Sequence, residues 1–184
     1  MKNTTYVIVA ICLMLMTACN TNKSADSKEM AEEENSDKFK KSDESDDAKF
    51  AVEAADGGMM EVKLGELALK NGSSSQVKEF GQQMVTDHGR GNAQLKALTE
   101  QKGISIPTVL SDKCQKKVDE LSSKQGADFD KAYAELMVKD HKEDIDEFKK
   151  EAEKGNDPEL KNWAGETLPI LEHHLQMAEA MSSH

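Results

Sequence analysis

Three of the five histidines in this 184-residue chain fall where helical periodicity turns them toward one another. His88 lies four residues after Met84 and three before Gly91. His141 lies four after Met137 and four before Ile145, and His174 lies three after Leu171 and four before Ala178. At 3.6 residues per turn, each imidazole shares the apolar stripe of its own segment and faces whatever core those segments build. His173 and His184 fall off the stripes. Neutral imidazole is a ligand for Zn, Cu, Fe or Ni, so one inward histidine from each of three helices makes a candidate site for a transition metal ion.

A carboxylate would complete such a set. Glu61 lies on the inward arc of the preceding segment with Ala54, Gly57, Gly65 and Ala68, while Glu53 stands at its edge as an outer, supporting position. Counted from the turn that follows, Glu53 or Asp56 matches His88 in depth better than Glu61, which is off by roughly 8 Å. Glu61 is set deeper in the apolar face and is the preferred ligand. Asp87 and Asp140, each just before a stripe histidine, point about 100° away and suit hydrogen bonds that orient the ligands. The same residues fit a metal-free arrangement, in which buried neutral histidines bonded to Glu or Asp set helix register. Burial lowers a histidine's pKa, so both readings require the neutral ring.

The elements that must position these groups read as helices. Asp46 or Asp47 can cap a helix A over Ala48 to about Lys70, which Asn71-Gly72 ends. Ser73 to Ser75 can cap helix B, with Val77, Phe80, Met84, Gly91, Leu95 and Leu98 on one stripe and Gly103 as its stop. Ile104 to Pro107 is extended, because a residue before proline avoids the α region. A short amphipathic helix follows from Ser111 to near Gly126. Asp128 can cap helix C (Phe129, Tyr133, Met137, Ile145, Phe148). Asn156-Asp157-Pro158, a cap with proline at the first helical position, opens helix D. Pro169 predicts a kink in D just before His174. Gly57, Gly58, Gly89 and Gly91 each cost about 1 kcal/mol against Ala in a helix interior; close helix packing is the commoner reason for such residues, a cavity the alternative. Four long helices with short links and no competing strand signal predict an all-α antiparallel four-helix bundle with an extra short helix in the B–C connection.

The N-terminus carries a different chemistry. MKNTTYVIVAICLMLMTAC has a basic start, an apolar run too short to span a bilayer, and small residues before Cys19. It resembles the bacterial lipobox, with Met16 where Leu is more usual. This implies a signal peptide over Met1–Ala18, acylation of Cys19, and membrane attachment through that lipid alone. The expected location is the cell envelope, with the anchor in the outer membrane and the domain in the periplasm. Cys12 leaves with the signal and Cys19 carries lipid, so Cys114 has no intramolecular partner. Residues 19–47 are polar and acidic and predict a disordered tether ahead of a folded domain over 48–184. With net charge -11 and Arg90 as the one arginine, nucleic acid is not an expected partner.

Helices B and C also share a local pattern, Phe80-x-x-x-Met84-Val85-x-Asp87-His88 against Tyr133-x-x-x-Met137-Val138-x-Asp140-His141. Together with AKFAVEAADGGMMEVKLGELAL and LPILEHHLQMAEAM, these segments resemble the bacterial family catalogued as domain of unknown function 4142, often labelled "predicted outer membrane protein". The resemblance covers Ala48 to Met181 and implies a ferritin-like bundle, with Glu61, Asp87, His88, Asp140, His141 and His174 at its matching polar positions. Di-iron ferritin-like proteins use Glu-x-x-His on two helices. Val85, Val138 and Leu171 stand three before the stripe histidines here, so a ferroxidase centre of that kind is not expected. The leading expectation is an envelope-anchored, non-enzymatic bundle with a polar layer that can take a metal ion. Its rivals are a metal-dependent oxidoreductase or hydrolase on the same residues, and an interaction module that binds an envelope protein through an exposed helix face.

Overall fold

The computed structural model describes residues 26–40 and 42–182, and among these the chain is all helical. The order is α1 (Ser27–Phe39), α2 (Ser45–Asn71), α3 (Ser75–Lys102), α4 (Asp112–Ser122), α5 (Gly126–Lys154) and α6 (Pro158–Ser182). Helices α2, α3, α5 and α6 are the predicted A, B, C and D, and α4 is the expected short helix in the connection. The signal segment and Cys19 lie outside the described residues.

Hydrogen bonds at the helix ends define the topology. Asp130, in the first turns of α5, accepts from the backbone N–H of Ser73 and Ser74 at the start of α3. Asn71, ending α2, donates to the carbonyl of Lys124 just before α5. At the other end, Asp47 near the start of α2 accepts from the N–H of Asn156 and Asp157, and Lys102 at the end of α3 pairs with Asp157 and Glu159. Helix α5 therefore starts beside the start of α3, and the 103–125 connection, with α4 in it, runs back along the bundle. The two short-linked hairpins, α2–α3 and α5–α6, then pack so that all neighbouring helices are antiparallel, the single-crossover arrangement of ferritin-like folds.

Several caps come from other helices rather than from the expected local residues. Neither Asp46 nor Asp47 caps α2, which follows Glu44; Asp47 instead satisfies the α5–α6 turn. Ser74 precedes α3 without a side-chain cap bond, and Asp130 serves its N-terminal donors. Asp128 lies inside the first turn of α5, which begins at Gly126 (φ +60°), a left-handed position that suits glycine. Asp157 and Ser111 do cap α6 and α4 as their types predict, accepting from Leu160 N–H and Cys114 N–H. Pro169 leaves α6 unbroken from Pro158 to Ser182.

The expected disordered tether does not extend to Asp47. Ser27–Phe39 is a helix with Asp26 as its N-cap, and α2 already begins at Ser45. Its composition is as polar as the sequence suggests, so the order comes from partners distant in the chain. Asn35 donates to Ser105 O and accepts from Ser105 N–H, Asp26 accepts from Asp112 N–H, and Phe39 enters the core beside Phe50 and Ile104. Helix α1 thus straps down the extended connector, whose backbone groups would otherwise lack partners.

Two apolar clusters fill the bundle. One, at the α2 start, holds Phe50, Leu95, Phe148, Leu160, Trp163 and Leu171. The other, at the α2 end, holds Leu64, Phe80, Met84, Phe129, Tyr133 and Met137. Each fully buried Leu or Phe contributes roughly 1.5–3 kcal/mol. His88 lies between Met84 and Leu95 on α3, His141 between Met137 and Ile145 on α5, and His174 between Leu171 and Ala178 on α6. The polar layer is the seam between the two clusters.

Candidate metal centre

Glu61 from α2, His88 from α3, His141 from α5 and His174 from α6 meet in this seam. Glu61 Oε2 lies 2.8 Å from His88 Nδ1, and Glu61 Oε1 lies 3.6 Å from His141 Nε2. The ring centroids are 5.3 Å (His88–His174), 5.4 Å (His141–His174) and 5.8 Å (His88–His141) apart. One nitrogen of each ring lies within 4.8 Å of one from each of the others. The expected depth mismatch of Glu61 is about halved. With the observed ends, Glu61 is 10 residues before the end of α2 and His88 is 13 after the start of α3. The remaining offset of about 4.5 Å is within reach of a glutamate side chain.

The hydrogen bonds assign the tautomers. His141 Nδ1 is 3.0 Å from the Met137 carbonyl, which can only accept, so Nδ1 carries the proton. His174 Nε2 donates to Asp87 Oδ2 at 3.0 Å, and His88 Nδ1 donates to Glu61. The second nitrogen of each ring, His88 Nε2, His141 Nε2 and His174 Nδ1, is buried without a hydrogen-bond partner, as is Glu61 Oε1. Unmatched buried acceptors are costly, and here four of them share one seam.

Electrostatics keep two of the rings neutral. Burial pushes His174 down to about 4, helped by His88, with Asp87 opposing. Burial also lowers His141, against the pull of Glu61. Burial alone would raise Glu61, but the imidazoles around it outweigh burial, His88 first and partly through its hydrogen bond, and hold the carboxyl well below its ordinary range.

Asp87 also accepts from Gln83 and Arg90, so it is oriented from three sides. Asp140 pairs with Lys117 of α4 at 2.8 Å instead of holding a ring, and Glu53, half-exposed, pairs with Lys28 of α1 and takes no part in the seam. Asp56 is engaged elsewhere, accepting from Ser111 and Cys114. Cys114 is buried, and burial and Asp56 push its thiol up to about 11. A residue not expected at the site is Asp144, one helical turn after His141, with a carboxylate oxygen within 4.8 Å of Glu61 and His141. Burial and the charges of Glu61 and Asp140 push its pKa well up. The signal was its spacing of three from His141, but its polarity reads as surface until α2 is packed against it.

Glycines open space beside the layer. A cavity of about 50 Å³ is lined by His88, His174, Glu61, Gly57, Gly91 and Trp163, among others. A Cβ on Gly57 or Gly91 would meet nothing within 4 Å. Close helix approach, the commoner reason for such glycines, operates elsewhere: a Cβ on Gly65 would lie 2.6 Å from Gly81 O, and one on Gly81 2.7 Å from Ala68 Cβ.

The fold and the seam together describe a ferritin-like helical bundle with an interior histidine–carboxylate layer. The chain belongs to the family described as domain of unknown function (DUF4142), whose model matches residues 28–181 and so includes α1. No curated protein matches it. A solved structure, the crystal structure of a DUF305 fragment from Deinococcus radiodurans, is similar at TM-score 0.66 and 12% identity, covering 75% of this chain and 95% of that one. At that identity the likeness is one of fold.

Proposed function

We propose that this protein is an envelope-anchored lipoprotein whose bundle binds one divalent first-row transition ion through His88, His141 and His174, with Glu61 accepting from His88 and facing His141 in the same layer. The observation that carries this reading is the division of labour on the imidazoles. Each uses one nitrogen to donate to a carbonyl or carboxylate and leaves the other bare, buried and unpartnered. Ligating histidines behave this way, because the second hydrogen bond fixes the tautomer and raises the basicity of the ligand. Glu61 Oε1 and His141 Nε2 are two acceptors facing each other at 3.6 Å. Ligand atoms bonded to one ion at ~2.0–2.2 Å stand about 3.4 Å apart in a tetrahedral site. Without a cation or a shared proton between them, the same contact is a repulsion in a low-dielectric interior.

The donor set is nitrogen and oxygen, and Cys114 is committed to Asp56, so Zn, Fe, Ni or oxidised Cu suits it better than a thiophilic ion. Polar support of helix register is a parallel role, since the Glu61–His88 and Asp87–His174 bonds each tie two helices. Anchoring rests on the signal sequence and Cys19, and Cys19→Ser should abolish acyl labelling and membrane fractionation.

The test is to express the chain from residue 20 onward without a tag, and to measure bound metal by mass spectrometry after supplementation with each candidate ion. Stoichiometric retention, lost in His88→Ala and His141→Ala, is expected. A wild-type chain that keeps no metal under any supplementation, with variants that are merely less stable, would leave only the register role.

A further inference from the structure

We propose that the glycine-walled cavity beside the histidine layer admits a small anion of two or three heavy atoms to the bound metal, so that the ion keeps one exchangeable position. This rests on the metal reading above and adds an exogenous ligand to it.

Gly57 and Gly91 sit in the interiors of α2 and α3, where alanine would favour the helix and where a Cβ has open space before it. Neither turn geometry nor close approach calls for glycine at these positions, in contrast to Gly65 and Gly81. Both glycines line the cavity, on whose wall stand His88 and His174, two of the three rings with a bare nitrogen.

A second group points to an acceptor in the occupant. Trp163 lines the same cavity, is nine-tenths buried, and its indole N–H has no hydrogen-bond partner. Indole can only donate, so its missing partner is an acceptor. Arg90 stands on the cavity wall paired with Asp87, and Glu61 and Asp144 line it too, so the charge that would draw an anion is that of the bound metal. A volume of about 50 Å³ holds a water or a small triatomic ligand and excludes anything the size of a metabolite.

Azide is the probe, and the cobalt(II)-loaded protein is the reporter. Azide should shift the visible absorption of the cobalt saturably. It should also change the emission of Trp163, the only tryptophan in the chain. In Gly57→Ala/Gly91→Ala the two methyl groups enter the cavity, and azide affinity should fall by roughly tenfold or more with cobalt retained. Trp163→Phe, which removes the donor while leaving the layer untouched, should weaken azide several-fold and carries the test if the double variant loses its metal. Absence of any azide response in the loaded wild type overturns the proposal. So does unchanged affinity in Trp163→Phe together with the double variant. Failure to load cobalt or any other ion overturns the metal reading first, and metal stoichiometry measured before azide is added distinguishes the two failures.

Discussion

Replacing Asp87 with asparagine separates a ligand-orienting hydrogen bond from a merely stabilising one. Asp87 accepts from His174 Nε2 at 3.0 Å, from Gln83 at 2.6 Å and from Arg90 at 2.9 Å. Asparagine keeps the shape and one acceptor but loses the charge. A hydrogen bond to a charged group is worth about 1.5–3 kcal/mol and a neutral one about 1 kcal/mol. The exposed Arg90 pair adds at most about 1 kcal/mol. Together the metal-free protein should lose roughly 1–2 kcal/mol, a fall of about 3–8 °C in Tm for a domain of this size. The effect on metal should be separate and larger in kind. A His174 whose second nitrogen donates to a neutral amide is a weaker base, and such changes typically cost 10–100-fold in affinity. The assay is competition against a chromophoric chelator, beside thermal melts with and without metal. Asp56→Asn is the control, because Asp56 is buried and bonds Ser111 and Cys114 away from the seam. It should lower Tm and leave the metal affinity unchanged. Equal affinity losses in both variants, or an Asp87→Asn affinity within twofold of wild type, would refute the assignment of His174 as a ligand.

Other consequences follow from the same geometry. Glu151 is buried, and burial with the nearby charges of Asp47 and Asp157 pushes its pKa to about 7. Its folded pKa is raised, so its stabilising contribution is complete below about pH 4.5 and is lost as pH rises through 7. Glu151→Gln should therefore add roughly 1–3 kcal/mol at pH 8 and little at pH 5 in urea unfolding; an equal gain at both values would contradict this. Phe39→Ala should cost roughly 2–3 kcal/mol and Asn35→Ala about 1–3 kcal/mol, whereas a disordered tether would give no change in chemical denaturation. Glycines should divide by location. Gly57→Ala and Gly91→Ala should each raise stability by up to about 1 kcal/mol, while Gly65→Ala, whose methyl meets the Gly81 carbonyl, should destabilise by about 1–3 kcal/mol. Thermal melts that ranked all three alike would show that helix propensity alone decides them.

The sequence by itself determined the four long helices, the short one between them, and the inward direction of His88, His141 and His174. These follow from periodicity, since a side chain's face on a helix depends only on its spacing from the apolar residues around it. It also supplied Glu61, because a carboxylate on an apolar face is conspicuous. Tertiary structure alone decided what lies between chain-distant groups. That α5 starts beside the start of α3 is fixed by Asp130 and Asn71, through bonds spanning more than fifty residues. Helix α1 is ordered by Asn35 and Phe39 against a connector some seventy residues away, which composition cannot register. Asp144 reads as a surface acid until Glu61 is packed against it, and Glu53 as a supporting acid until Lys28 claims it. Gly57 and Gly65 look alike in sequence; one faces open space and the other a carbonyl oxygen. Periodicity is a local property of a helix, whereas partners, cavities and proton positions depend on which helices meet and at what depth.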